Sequence, residues 1–185
     1  SSQLSKVKAS GAELIFLPIY YQEASLILSQ AKNAGITAKF FGCDGLDGLL
    51  SIKNFDTSLC EGVMLLTPFA ADAQDQATQD FVKKYKDAYK GETPNQFAAD
   101  AYDGVMVLAE LMKKEGITAD MSASDICDKL KKAITDKDFS YDGLTGTGMK
   151  WGEDGAVSKD PKAVIIKNGA YSALTADDIA ASTAQ

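Results

Sequence analysis

A six-residue apolar run, Leu14-Ile15-Phe16-Leu17-Pro18-Ile19, is followed almost at once by helical spacing that stops on a glycine. The run is too short for a buried helix and lacks the alternation of a half-exposed strand. It therefore predicts a strand buried on both faces of a parallel sheet. Ala24, Ile27, Leu28, Ala31 and Ala34 then line one face of a helix over residues 23–35, ended by Gly35. Lys39-Phe40-Phe41 and Val63-Met64-Leu65-Leu66-Thr67 supply further short strands. Strand and helix alternate, which predicts βαβ units in an α/β, doubly wound parallel sheet.

From about residue 73 the pattern turns helical. Phe81, Val82, Tyr85, Ala88 and Tyr89 share a face that Gly91 and Pro94 end, and Phe81, Tyr85 and Tyr89 read most simply as core. A second helix over 95–114 carries the stripe Phe97, Ala101, Val105, Leu108 and Met112. A third opens at Ser122-Ala123-Ser124-Asp125, a capping box in which each end satisfies the other's amide. No long β segment lies among these helices, so their apolar faces either pack on one another or need a sheet from elsewhere.

Strand character returns after Phe139. Residues 148–151 and 156–157 flank a loop of hairpin length, and residues 163–167 and 170–172 flank Asn168-Gly169, the pair that accepts a type I′ turn. The opening residues 1–7 read as part of a helix. The last ten, rich in Ala, Ser, Thr and Asp, read as a frayed end.

Chemistry is constrained mainly by what the composition lacks. With no histidine, Ser–His–Asp and Cys–His nucleophile systems and His-rich zinc sites are excluded. A net charge of −7 argues against nucleic acid, whose phosphates need a basic surface. Cys43, Cys60 and Cys127 have no C-x-x-C spacing. Cys43 and Cys60 could pair in an oxidising compartment, but buried free thiols fit better. Residues 143–148 look like a phosphate loop, yet no helix follows them. Asp154 with its glycines falls short of a calcium loop. No cofactor, metal or catalytic residue is expected.

Ligands of open α/β sheets sit beyond the carboxyl ends of the strands. Tyr20 and Tyr21 follow the first strand, and Asp44 follows the second within Gly42-Cys43-Asp44-Gly45. An apolar ring with a hydroxyl, beside an uncrowded carboxylate, suits a ligand with a cationic amine and an apolar body. By spacing alone Asp44 reads first as an Asx turn or helix cap, and the tyrosines read equally as rim packing.

Several stretches in order resemble the Leu/Ile/Val-type receptors of the type I periplasmic binding protein family. They are residues 11–24, residues 30–35, Phe41-Gly42-Cys43-Asp44-Gly45, Cys60-Glu61-Gly62-Val63, Phe97 to Asp103 and residues 139–146. The resemblance spans about residues 3–175. It implies two α/β lobes with the ligand in the cleft. Residues 1–68 and 160–176 would belong to the second, C-terminal lobe. Residues 69–159 would form a helical segment covering the first lobe, and 177–185 a tail. On that template the chain is the C-terminal half of a longer protein. Position by position, Tyr20 matches a tyrosine that touches the ligand, and Asp44 an acidic residue that holds the α-ammonium, where many leucine-type receptors have Glu. Phe97 lies near an aromatic lining the cleft.

The function so implied is that of an extracytoplasmic substrate-binding component of an ABC importer. It would bind an amino acid, with the branched-chain type favoured, and present it to a membrane permease. A ligand-sensing receptor of the same fold is the alternative, with an enzyme on a doubly wound fold further off. By itself the chain is expected to self-associate through its helices.

Overall fold

The opening segment folds as helix α1 (Ser2–Ser10) and the apolar run behind it as strand β1 (Leu14–Leu17). The computed structural model describes residues 2–183. Helix α2 (Tyr21–Ala34) buries Ala24, Ser25, Leu28 and Ala31 and stops at Gly35, whose φ of 64° is left-handed. There the Ile36 and Gly35 amides donate to the Ala31 and Lys32 carbonyls at 2.9 and 3.0 Å, which satisfies the last carbonyls of the helix. Strand β2 (Lys39–Gly42) leads into three 3-10 turns, Asp44–Leu46, Leu49–Ser51 and Thr57–Cys60, and then strand β3 (Met64–Thr67).

Next come α3 (Gln76–Ala88), α4 (Gln96–Lys114) and α5 (Ala123–Ile134). Each is capped by a side chain, from Asp75, Asn95 and Ser122 respectively, that accepts the amide three residues on. The capping box differs from expectation in one bond. The Asp125 carboxylate accepts from the Ser122 hydroxyl, at 2.8 Å, as well as lending its own amide to that oxygen. Strands β4 (Lys150–Trp151) and β5 (Val157–Ser158) pair antiparallel. Strands β6 (Lys162–Lys167) and β7 (Ala170–Ala173) follow, joined by Asn168 and Gly169 at φ of 52° and 73°, the positive pair that a I′ turn requires.

The C-terminus departs from the frayed end expected of it: residues 176–183 form helix α6 (Ala176–Thr183). Asp178 accepts from the Thr175 amide and hydroxyl and pairs with Lys167, so the helix start is both capped and tied to β6. The Lys167 bond, with the Thr175 bonds behind it, holds the Asp178 carboxyl down at about 2. Residues 184–185 lie outside the described residues.

The main sheet has the order β1-β2-β3-β6-β7. Its first three strands are parallel, and β6 and β7 are added antiparallel. The α/β class and the C-terminal hairpin are as the sequence predicts. The chain divides into two compact units, Ser1–Ala73 with Pro161–Gln185, and Gln74–Asp160.

In the first unit Leu17, Leu28, Leu46, Leu49, Leu65, Val164 and Ile166 form the core. The expectation that β1 is buried on both faces is corrected here. Only the face of β1 carrying Ile15 and Leu17 joins the core. Leu14 and Phe16 on the other face are 53% and 51% exposed.

In the second unit Val107, Leu111, Ala133 and Phe139 form the core. Helix α4 turns Gln96, Ala99, Asp103, Val107 and Leu111 inward. The stripe read from the sequence faces outward instead: Val105 is 66% exposed, and Phe97, Leu108 and Met112 are exposed as well. Tyr89 is also exposed, so of the three aromatics expected in the core only Phe81 is fully buried.

Candidate ligand-binding site

Because β1, β2 and β3 run parallel, their carboxyl ends leave the sheet along one edge. Tyr20 is the residue before α2, in extended backbone at φ −86° and ψ 161°, and its carbonyl accepts the Ala24 amide at 3.0 Å. Its side chain is among the most exposed large apolar groups in the chain. Asp44 opens the 3-10 turn after β2. Its carbonyl accepts the Asp47 amide at 2.9 Å and its side chain is exposed.

Glycine brings these two residues onto adjoining loops. A Cβ on Gly45 would lie 2.5 Å from the Ile19 carbonyl oxygen and 3.4 Å from the Tyr20 Cα, so only hydrogen fits at the first of these contacts. The loop after β2 therefore lies directly against the loop after β1. Gly48, at φ 117°, lies against the Tyr21 ring, where a Cβ would meet Cδ1 at 3.0 Å. From β7, the Tyr171 hydroxyl accepts the Gly48 amide at 3.1 Å. The result is an exposed aromatic ring and an exposed carboxylate on adjoining loops. That combination offers an apolar face and an anion to an amine with an apolar body.

Phe97 is the second residue of α4 and belongs to the Gln74–Asp160 unit, whereas Tyr20 and Asp44 belong to the other. Sequence reasoning missed Gly45 and Gly48 as the residues that make the loop contact, and it missed Tyr171. The recurrence of glycine at 42, 45 and 48 was a readable signal for the first two. Tyr171 stands 123 residues from its partner and gives no local signal.

In the glycine-rich loop at 143–148 the amides of Gly143, Leu144, Thr145 and Gly148 are engaged within the protein. Asp103 is buried, and its carboxylate accepts the amides of Leu144 and Thr145 at 2.9 and 2.8 Å and the Thr145 hydroxyl at 2.8 Å. Gly143 lies so close to that carboxylate that a Cβ would stand 2.5 Å from Oδ2. Lys159 extends the network to Asp100 and Thr145. Asp154 accepts the Ala156 amide at 3.0 Å within its own loop. Among the described residues there is no group of three or more metal-ligating side chains, and no helix is long and apolar enough to cross a membrane.

All three cysteines are free: Cys60 buried, Cys43 half-buried, Cys127 exposed. Burial, with the Asp56 charge behind it, pushes the Cys60 thiol up to about 12. At pH 8 iodoacetamide is expected to label Cys127 readily and to leave Cys60 untouched until the chain unfolds, because the thiolate is the nucleophile. Peptide mass spectrometry of the folded and denatured protein reads this directly, and equal labelling of both in the folded state would contradict it.

A family model described as "Periplasmic binding protein" matches residues 1–170. The leucine-, isoleucine-, valine-, threonine- and alanine-binding protein of Pseudomonas aeruginosa is 32% identical over 114 residues, 61% of this chain and 30% of that protein. A leucine-binding protein from Thermotoga maritima superposes with a TM-score of 0.73 at 26% identity, over 96% of this chain and 49% of that one. The branched-chain amino acid transporter substrate-binding protein of Streptococcus pneumoniae, solved with isoleucine, gives 0.74 at 26% identity over 94% and 47%. The chain thus spans about half the length of these solved structures and 30% of the Pseudomonas protein. Its fold is that of a type I periplasmic binding protein, and the chain belongs to the periplasmic binding protein family.

Proposed function

We propose that this chain forms one wall of an extracytoplasmic receptor that binds a small amino acid, of branched-chain type by preference, and delivers it to an ABC permease. The observation that carries this reading is the contact at Gly45, which sets the Asp44 carboxylate and the Tyr20 ring on adjoining loops beyond the parallel strands. Asp44 takes the ligand's ammonium and Tyr20 covers its apolar body. The reading is of binding without chemistry. Family membership and the amino-acid ligands named for the relatives support it.

An amino acid is held well only when most of its surface is covered and both charged ends have partners. The loops after β1 and β2 serve the ammonium end alone. The carboxylate end and the opposite wall are assigned to the part of a relative-length protein that this chain does not span. The exposed α4 stripe and the open face of β1 at Leu14 and Phe16 are the surfaces such a part would cover. By itself the 185-residue chain is expected to bind L-leucine at least a hundredfold more weakly than the full-length gene product, by about the loss of one charged-end contact and its enclosure. It is also expected to self-associate. Calorimetry with L-leucine, L-isoleucine and L-valine, together with light scattering, tests both statements. A monomer with full affinity would refute the one-wall reading, and a chemically altered ligand in the mass spectrum would refute binding without chemistry.

A further inference from the structure

We infer that Tyr171 is a positioning residue for ligand binding, acting on Asp44 through the loop between them. This rests on the proposed role of Asp44. Tyr171 lies on β7 opposite Ile166, its ring packed against the core of its unit. Its hydroxyl accepts the Gly48 amide at 3.1 Å, and the Leu50 backbone makes a second hydrogen bond to it.

Three residues separate Gly48 from Asp44, and each of their restraints is short. The Asp47 amide closes on the Asp44 carbonyl at 2.9 Å, and the Ser51 amide closes on the Gly48 carbonyl at 2.9 Å. Gly45 abuts the Ile19 carbonyl and Gly48 abuts the Tyr21 ring. The two 3-10 turns, Asp44–Leu46 and Leu49–Ser51, thus form one small rigid body. Gly48, left-handed at φ 117°, is the joint between them, and Tyr171 grips that joint. Asp47, Gly48 and Leu49 are buried, so no solvent stands ready to replace the phenol as acceptor. Burial, with the Asp47 charge next, holds the phenol firmly in its neutral form. An exposed carboxylate such as Asp44 gains affinity from being held in place before the ligand arrives, because the ordering cost is then met by folding. Tyr171 supplies that hold from the hairpin, far along the chain from the site.

Tyr171→Phe keeps the ring and removes only the acceptor, so the core packing survives. In the full-length gene product this variant is expected to bind L-leucine about five- to tenfold more weakly. Amide exchange at Gly48 and Leu50 should speed up about tenfold or more, with the β6 and β7 amides unchanged as the control for folding. The discriminating arm is a double-mutant cycle. Asp44→Asn should cost about tenfold or more in the parent and only about two- to threefold on the Tyr171→Phe background, because a carboxylate no longer held has less to lose. Losses that multiply, or unchanged exchange at Gly48, would overturn the role of Tyr171 while leaving Asp44 in place. Asp44→Asn without effect in the parent would overturn the site reading and this inference with it.

Discussion

Asp44→Asn in the full-length gene product is expected to lower affinity for L-leucine by tenfold or more while leaving the melting temperature nearly unchanged. Asparagine keeps the shape and removes the charge. Under the proposed function, what is lost is a charge-assisted bond to the ligand's ammonium, worth about 1.5–3 kcal/mol. Stability should move little, because the Asp44 side chain is exposed, where a substitution typically costs about 0.5 kcal/mol or less. Calorimetric titration of parent and variant decides it. Equal affinities would remove Asp44 from the site, and a large drop in melting temperature would make it a structural cap instead. Leucine analogues sharpen the test: one lacking the amine should bind parent and variant alike.

Asp103→Asn is expected to destabilise the Gln74–Asp160 unit by about 3 kcal/mol without touching the residues proposed to bind ligand. The carboxylate accepts one amide on Oδ1 and an amide plus a hydroxyl on Oδ2, all buried. An asparagine must turn its NH2 toward one of those sets of donors, so at least one buried N–H loses its acceptor and faces another donor. Gly143 leaves no room for the side chain to swing aside, since its Cα already lies against the carboxylate. For a chain of this size a loss of about 3 kcal/mol lowers the melting temperature by roughly 6–12 °C. A thermal melt of the variant that stays within about 2 °C of the parent would show that the 143–146 loop is held by something else.

Both predictions concern residues whose roles were unevenly legible. Asp44 could be singled out from the sequence because it follows a strand and stands between glycines, and position in an α/β sheet is a local property. Asp103 stood within a stretch that carried the family resemblance, but nothing around it disclosed that it faces inward. A charged residue in the middle of a helix reads as surface. It is buried because Leu144 and Thr145, some forty residues on, bring three donors to it. Tyr171 is the same case at longer range, its partner amide being 123 residues away.

What the sequence determined by itself was everything that depends on near neighbours. The apolar runs set the strands, and Gly35 and the Asp75, Asn95 and Ser122 caps set the helix ends. Asn168-Gly169 fixed the hairpin turn, because positive φ is a property of those residues. The tertiary structure decided which face of each element is covered. The apolar period along α4 gave the wrong inward face, because Gln96 and Asp103 lie inside and Val105, Leu108 and Met112 lie outside. Leu14 and Phe16 were read as buried and are half exposed, because that face of β1 is left open while the opposite face meets the core. Periodicity reports how much apolar surface an element carries, not which neighbour will cover it, and the free energy of burial is realised only where a neighbour arrives. For the same reason the adjacency of Tyr20 and Asp44 belongs to the fold: it depends on a backbone approach at Gly45 that only the packing of β1 against β2 creates.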